Sequence, residues 1–112
     1  MVTMRAVRIH EFGGIDELKL DTVPVPSPSG TQVLVRVHGA GVGPWDALVR
    51  KGKSKLGQSL PVVIGSDISG VVEKLGAEVT GVADGDEVFG LTSDQFTGGY
   101  AEYALADTST IA

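Results

Sequence analysis

The chain holds few groups able to do chemistry, and their spacing narrows that chemistry further. It has no cysteine and only two histidines, His10 and His38. Thiolate nucleophiles, thiolate metal sites and disulfides are therefore excluded. A catalytic zinc needs about three protein ligands from His, Cys or carboxylate. His10 ends one expected strand and His38 faces outward from another, so both read as surface histidines and no metal site is expected. The unusual residues concentrate in three ordered stretches: Ala40-Gly-Val-Gly-Pro-Trp-Asp46 running on to Gly52, Ile64-Gly-Ser-Asp67 running on to Gly76, and Gly85-Asp-Glu-Val-Phe-Gly90.

Gly39-Ala-Gly-Val-Gly43 follows a strand and precedes a helix, which imitates a dinucleotide-binding turn. That fingerprint requires a third glycine three positions after the second, and an acidic residue about 20 residues further on. Here Pro44 takes the glycine position, and Gly57-Gln-Ser-Leu60 stands where the acid is expected. The stretch reads instead as a tight strand-to-helix turn that needs positive φ or close backbone approach. Around it, Trp45 either lines a cleft or fills the core under the helix. Asp46 suits the first helical turn, where a carboxylate complements the helix dipole, better than it suits a catalytic role. Phe96 either anchors its loop or stacks on a planar ligand. Tyr100 and Tyr103 read as strand packing residues.

These residues need a scaffold, and the pattern supplies one. Met4–His10 and Leu18–Val23 read as strands joined through Glu11-Phe-Gly-Gly14. Pro24, Pro26 and Pro28 keep the next stretch extended and out of any central ladder position. Gln32–His38 alternates with period two, Val33, Val35 and Val37 forming the better-buried face. Pro44–Lys51 reads as a short helix, with Pro44 at its first position, Arg50 and Lys51 in its last turn and Gly52 as its C-terminal cap. Ile68–Leu75, Glu87–Leu91 and Tyr100–Ala106 complete the strands. Short strands with one or two short helices predict a mainly β fold, a small barrel or sandwich.

The totals agree. The 112 residues suit one domain. A net charge of −5 leaves no basic stripe to meet nucleic-acid phosphates. The cluster from Lys51 to Lys55 reads as a solvated loop. No apolar run approaches the ~20 residues that span a bilayer, and the N-terminus has no apolar signal core. No membrane association is expected, and a cytoplasmic location is.

In their order and spacing the three stretches resemble the substrate-side, GroES-like domain of the medium-chain dehydrogenase/reductase superfamily, across nearly the whole chain. The resemblance implies a partly open β-barrel over residues 1–112. It also implies a Rossmann nucleotide-binding domain that lies outside these residues. In the zinc members, the positions of Gly43 and Ser66 carry metal-binding Cys and His, and neither residue here ligates zinc. The chain is more similar to the zinc-free quinone oxidoreductase branch. Met4-Arg-Ala-Val-Arg8 with Glu11-Phe-Gly-Gly14, Gln32-Val-Leu-Val-Arg-Val37, Gly41-Val-Gly-Pro-Trp-Asp46 with Arg50 and Gly52, and Gly98-Gly-Tyr-Ala-Glu-Tyr103 carry that likeness. The branch often has Asn at the position of Gly43 and Tyr at that of Leu48, so two polar handles are gone.

The resemblance implies the substrate-side part of an NADPH-dependent oxidoreductase that transfers hydride to a quinone or activated enone. The chain alone would be inactive, since the cofactor's phosphates have no site in it. It places Gly43, Trp45, Asp46, Leu48 and Phe96 at the substrate or cofactor pocket, with Ser66 and Asp67 structural near the cleft and no catalytic residue assigned. Backbone N–H groups of Gly39–Trp45, Pro44 apart, are candidates to steady a developing oxyanion. A homo-oligomeric parent is expected. Two alternatives stand beside this reading: an enoyl or alkenal double-bond reductase of the same superfamily, and a stand-alone, non-catalytic binding module.

Overall fold

The computed structural model describes residues 2–54, 57–92 and 97–112. Among the described residues, seven strands and one helix follow in order: β1 (Thr3–Ile9), β2 (Lys19–Pro24), β3 (Gln32–Ala40), α1 (Pro44–Arg50), β4 (Val62–Val63), β5 (Asp67–Leu75), β6 (Glu87–Leu91) and β7 (Tyr103–Asp107). A 3-10 turn at Ile15–Glu17 lies between β1 and β2. All pairings are antiparallel. One sheet runs β2-β1-β4 and the other β6-β5-β3-β7.

The two sheets are stitched together along residues 97–103. Val7 donates to the Tyr100 carbonyl and Val37 to that of Glu102, while Glu102 donates to the Arg5 carbonyl. The segment thus bonds to β1 on one side and β3 on the other, and the sheets do not close into one ladder. This is the expected partly open, mainly β architecture.

Alternation explains the burial. In β5, Ile68, Gly70 and Val72 point inward and Ser69 outward. With Val33, Val35, Val88, Ala104 and Ala106, Ile68 and Val72 form the largest core cluster. Leu34, expected on the more open face of β3, is buried as well, so both faces of this strand are covered there. Register shifts at Leu34/Val35 and Val37/Gly39 put His38 at an irregularity in the ladder, with its side chain exposed. A smaller cluster joins Ile9 of β1 and Ile64 to Val49 of α1, which fixes the helix against the β2-β1-β4 sheet.

Helix α1 lies where the residue pattern puts it. Pro44 occupies its first turn, and Gly52, with φ +74, follows its C-terminal cap Lys51. Strand β7 starts three residues later than expected. Gly98, with φ +98, and Gly99 open the preceding stretch as an irregular crossing, so Tyr100 lies outside the strand.

Candidate functional site

The strand-to-helix turn of residues 39–43 contains no positive-φ glycine, so close approach accounts for it. Gly39 and Ala40 belong to β3. Gly41 donates its N–H to the Asp67 carbonyl at 2.8 Å. A β-carbon on Gly41 would lie 3.0 Å from that of Asp67 and 3.3 Å from its Oδ2. A carboxylate at that distance opposes phosphate, so the turn does not fit the pyrophosphate of a dinucleotide.

Asp46 sits in the first turn of α1 but is only 4% exposed. Its Oδ2 accepts two hydrogen bonds, from the Gly43 N–H at 2.9 Å and from the Tyr100 hydroxyl at 3.0 Å. Its Oδ1 is buried and has no partner among the described residues. A carboxyl removed from water is costly unless its oxygens are bonded, so those two donors are what hold Asp46 in place. Tyr100, expected as a packing residue, is therefore also a polar one. Its ring lies against Gly65, which has φ +100 and no β-carbon to collide with it. Burial, and then the bond to Asp46, push its hydroxyl pKa up to about 12.

Trp45 and Ser66 meet although 21 positions apart: the indole Nε1–H donates to Ser66 Oγ at 2.8 Å. Ser66 is fully buried, while Trp45 is 39% exposed. The Ser66 carbonyl in turn accepts from Thr92 N–H at 2.8 Å, and Thr92 Oγ1 donates to the Thr97 carbonyl at 2.6 Å. Thr92, buried at the end of β6, is a positioning residue that sequence reading missed. A hydroxyl immediately after an expected strand was its only signal.

Gly43, Asp46 and Tyr100 line a cavity of about 310 Å³ together with Leu18, Val42 and Ile64. Leu48 is half-exposed on another side of α1. Asp67 opens β5 beside the turn. Phe96 lies outside the described residues. Of the expected pocket, then, Gly43 and Asp46 share one cavity, Trp45 joins them through the turn, and Ser66 bonds to Trp45. Elsewhere, His10 Nε2 and Arg8 Nε both bond to Asp21 Oδ2, at 2.7 and 2.6 Å, and the Arg8 guanidinium, then His10, hold its carboxyl below the usual range.

Comparison with known proteins gives these positions a context. Residues 29–112 match the alcohol dehydrogenase GroES-like domain family. Quinone oxidoreductase of Homo sapiens is 46% identical over 109 residues, 96% of this chain and 32% of that protein. The structure of the quinone oxidoreductase from Coxiella burnetii superposes with a TM-score of 0.93 at 34% identity, covering 99% of this chain and 37% of the other. A mycobacterial structure complexed with NADPH gives a TM-score of 0.85 at 32% identity, over 97% of this chain and 32% of the other. The chain spans about a third of the length of the curated relatives it matches.

Proposed function

Because this chain belongs to the alcohol dehydrogenase GroES-like domain family, we propose that it is the substrate-side domain of an oxidoreductase that reduces a quinone or an activated enone. The hydride comes from a nicotinamide dinucleotide, NADPH in our reading. Relatives named as quinone oxidoreductases support the acceptor, and a similar structure complexed with NADPH supports the donor. The dinucleotide supplies the hydride, and a proton completes the reduced acceptor. Its phosphates belong to a Rossmann domain elsewhere in the whole protein, since the 39–43 turn does not fit them.

The work of this chain's residues is to bind, orient and dry the acceptor. The observation that carries the reading is the Trp45–Ser66 bond. It draws the helix start and the head of β5 into one corner, and it leaves part of the indole open beside the cavity-lining Gly43. Asp46 and Tyr100 fix the backbone of that corner. We further propose that no zinc takes part, because Gly43 has no side chain and Ser66 spends its oxygen on the indole.

Two measurements on the polypeptide as it occurs in its source cells test this. Its intact mass should be near three times that of this chain, and it should oxidise NADPH when a quinone is added. A mass equal to this chain alone, without quinone-dependent oxidation, would favour a stand-alone binding module. Stoichiometric zinc in metal analysis would overturn the zinc-free assignment.

A further inference from the structure

Gly43 raises a question that its backbone does not answer. Its φ of −121° and ψ of 168° are open to any residue. It caps α1, a position where Asn, Asp or Ser does better than glycine. What excludes a side chain is the indole: a β-carbon on Gly43 would lie 2.6 Å from Trp45 Cζ2 and 2.7 Å from Cε2. The ring of Trp45 occupies the volume into which a side chain at 43 would project. Its orientation is fixed, because turning it away would strip the fully buried Ser66 hydroxyl of its donor. With the only polar atom of the ring engaged, the ring surface that remains is apolar carbon.

We propose that Gly43 and Trp45 are an exchangeable pair, and that the indole face of Trp45 selects acceptors with a planar ring over open-chain enones. This rests on reading the same corner as the acceptor site. A fixed aromatic face attracts a second flat π-system by offset stacking beyond simple area burial. An open-chain enone offers it little area. A polar side chain at 43, with a small residue at 45, would replace that face by a hydrogen-bonding group and narrow the preference.

The test uses the isotope-labelled chain, checked to be folded by circular dichroism and monomeric by sedimentation at the working concentration, whose single tryptophan gives one indole N–H resonance. It is titrated with 1,4-naphthoquinone and with pent-3-en-2-one; the absence of cysteine removes thiol addition as a side reaction. Naphthoquinone should shift that resonance saturably and bind about fivefold or more tighter than the enone. Trp45→Leu should weaken naphthoquinone by about 3- to 10-fold, as a lost stacking pair implies, while Trp45→Phe keeps most of the affinity. Gly43→Asn should lower the melting midpoint, and Gly43→Asn with Trp45→Val should recover part of it, the Ser66 hydroxyl still lacking its donor, and bring the two affinities closer together. A double variant no more stable than Gly43→Asn would overturn the exchange. Undiminished naphthoquinone binding in Trp45→Leu would overturn the stacking face and leave the acceptor site standing. Failure of both ligands to bind would overturn both.

Discussion

At the scale of single residues, Asp46 ties the corner together by accepting two part-buried hydrogen bonds. Asp46→Ala removes the acceptor of both the Gly43 N–H and the Tyr100 hydroxyl. It should cost about 1–3 kcal/mol, because two part-buried donors lose their acceptor. Asp46→Asn keeps an oxygen and discards a charge whose Oδ1 has no partner among the described residues, so its loss in a denaturant titration should be far smaller. Equal losses would mean that both carboxylate oxygens are engaged. Tyr100 adds a pH dependence. Its hydroxyl pKa is about 12 in the fold against ~10 in an unfolded chain. Between those values the folded state holds the proton and the unfolded state has lost it. The contribution is therefore full below about pH 10 and is lost as pH climbs toward 12. The melting midpoint should fall more steeply across that window in the native chain than in Tyr100→Phe; parallel curves would contradict this.

At the scale of elements, the hinge of the site is the short run from β4 to β5. Ile64, 1% exposed, packs with Ile9 and Val49 and so holds α1 to β1. Ile64→Ala should cost about 2–5 kcal/mol, the usual range for truncating a buried isoleucine. Gly65→Ala should be comparably damaging, since φ +100 is strained for any β-carbon and the Tyr100 ring fills the space. Thermal melts of the two variants check both; a Gly65→Ala midpoint equal to the native one would mean that the turn can relax. Much of this scale was legible beforehand. Pro44 and Gly52 mark the helix by local stereochemistry, and Gln32–His38 marks β3 by alternation. The Trp45–Ser66 and Asp46–Tyr100 bonds were not legible, because they join residues 21 and 54 positions apart and depend on how the sheets meet. The two-residue β4 was missed because it is too short to carry a period. Tyr100 packs as expected, against the cluster of Ile9, Val49 and Ile64; its place outside β7 was not legible, because Tyr100–Ala106 reads as one continuous strand.

At the scale of the whole molecule, apolar side chains are exposed beside the site, with the Arg5–Glu102 ion pair at their edge. Val42 is 86% exposed and Leu20 67%, and with Val37, Ala40 and Tyr100 they line a groove of about 530 Å³. Contiguous apolar surface of this kind associates, and a net charge of −5 offers modest repulsion. The isolated chain should therefore self-associate as its concentration rises, read by sedimentation or light scattering, and a clean monomer at high concentration would count against this. Our proposal that the chain forms the acceptor side of a nicotinamide-dependent oxidoreductase is tested most directly by steady-state NADPH oxidation with 1,4-naphthoquinone. The measurement uses the polypeptide as it occurs in its source cells, with Trp45 intact and as Trp45→Ala. Quinone-dependent oxidation whose KM rises several-fold in Trp45→Ala is the expected result; no quinone-dependent oxidation, or an unchanged KM, would contradict it.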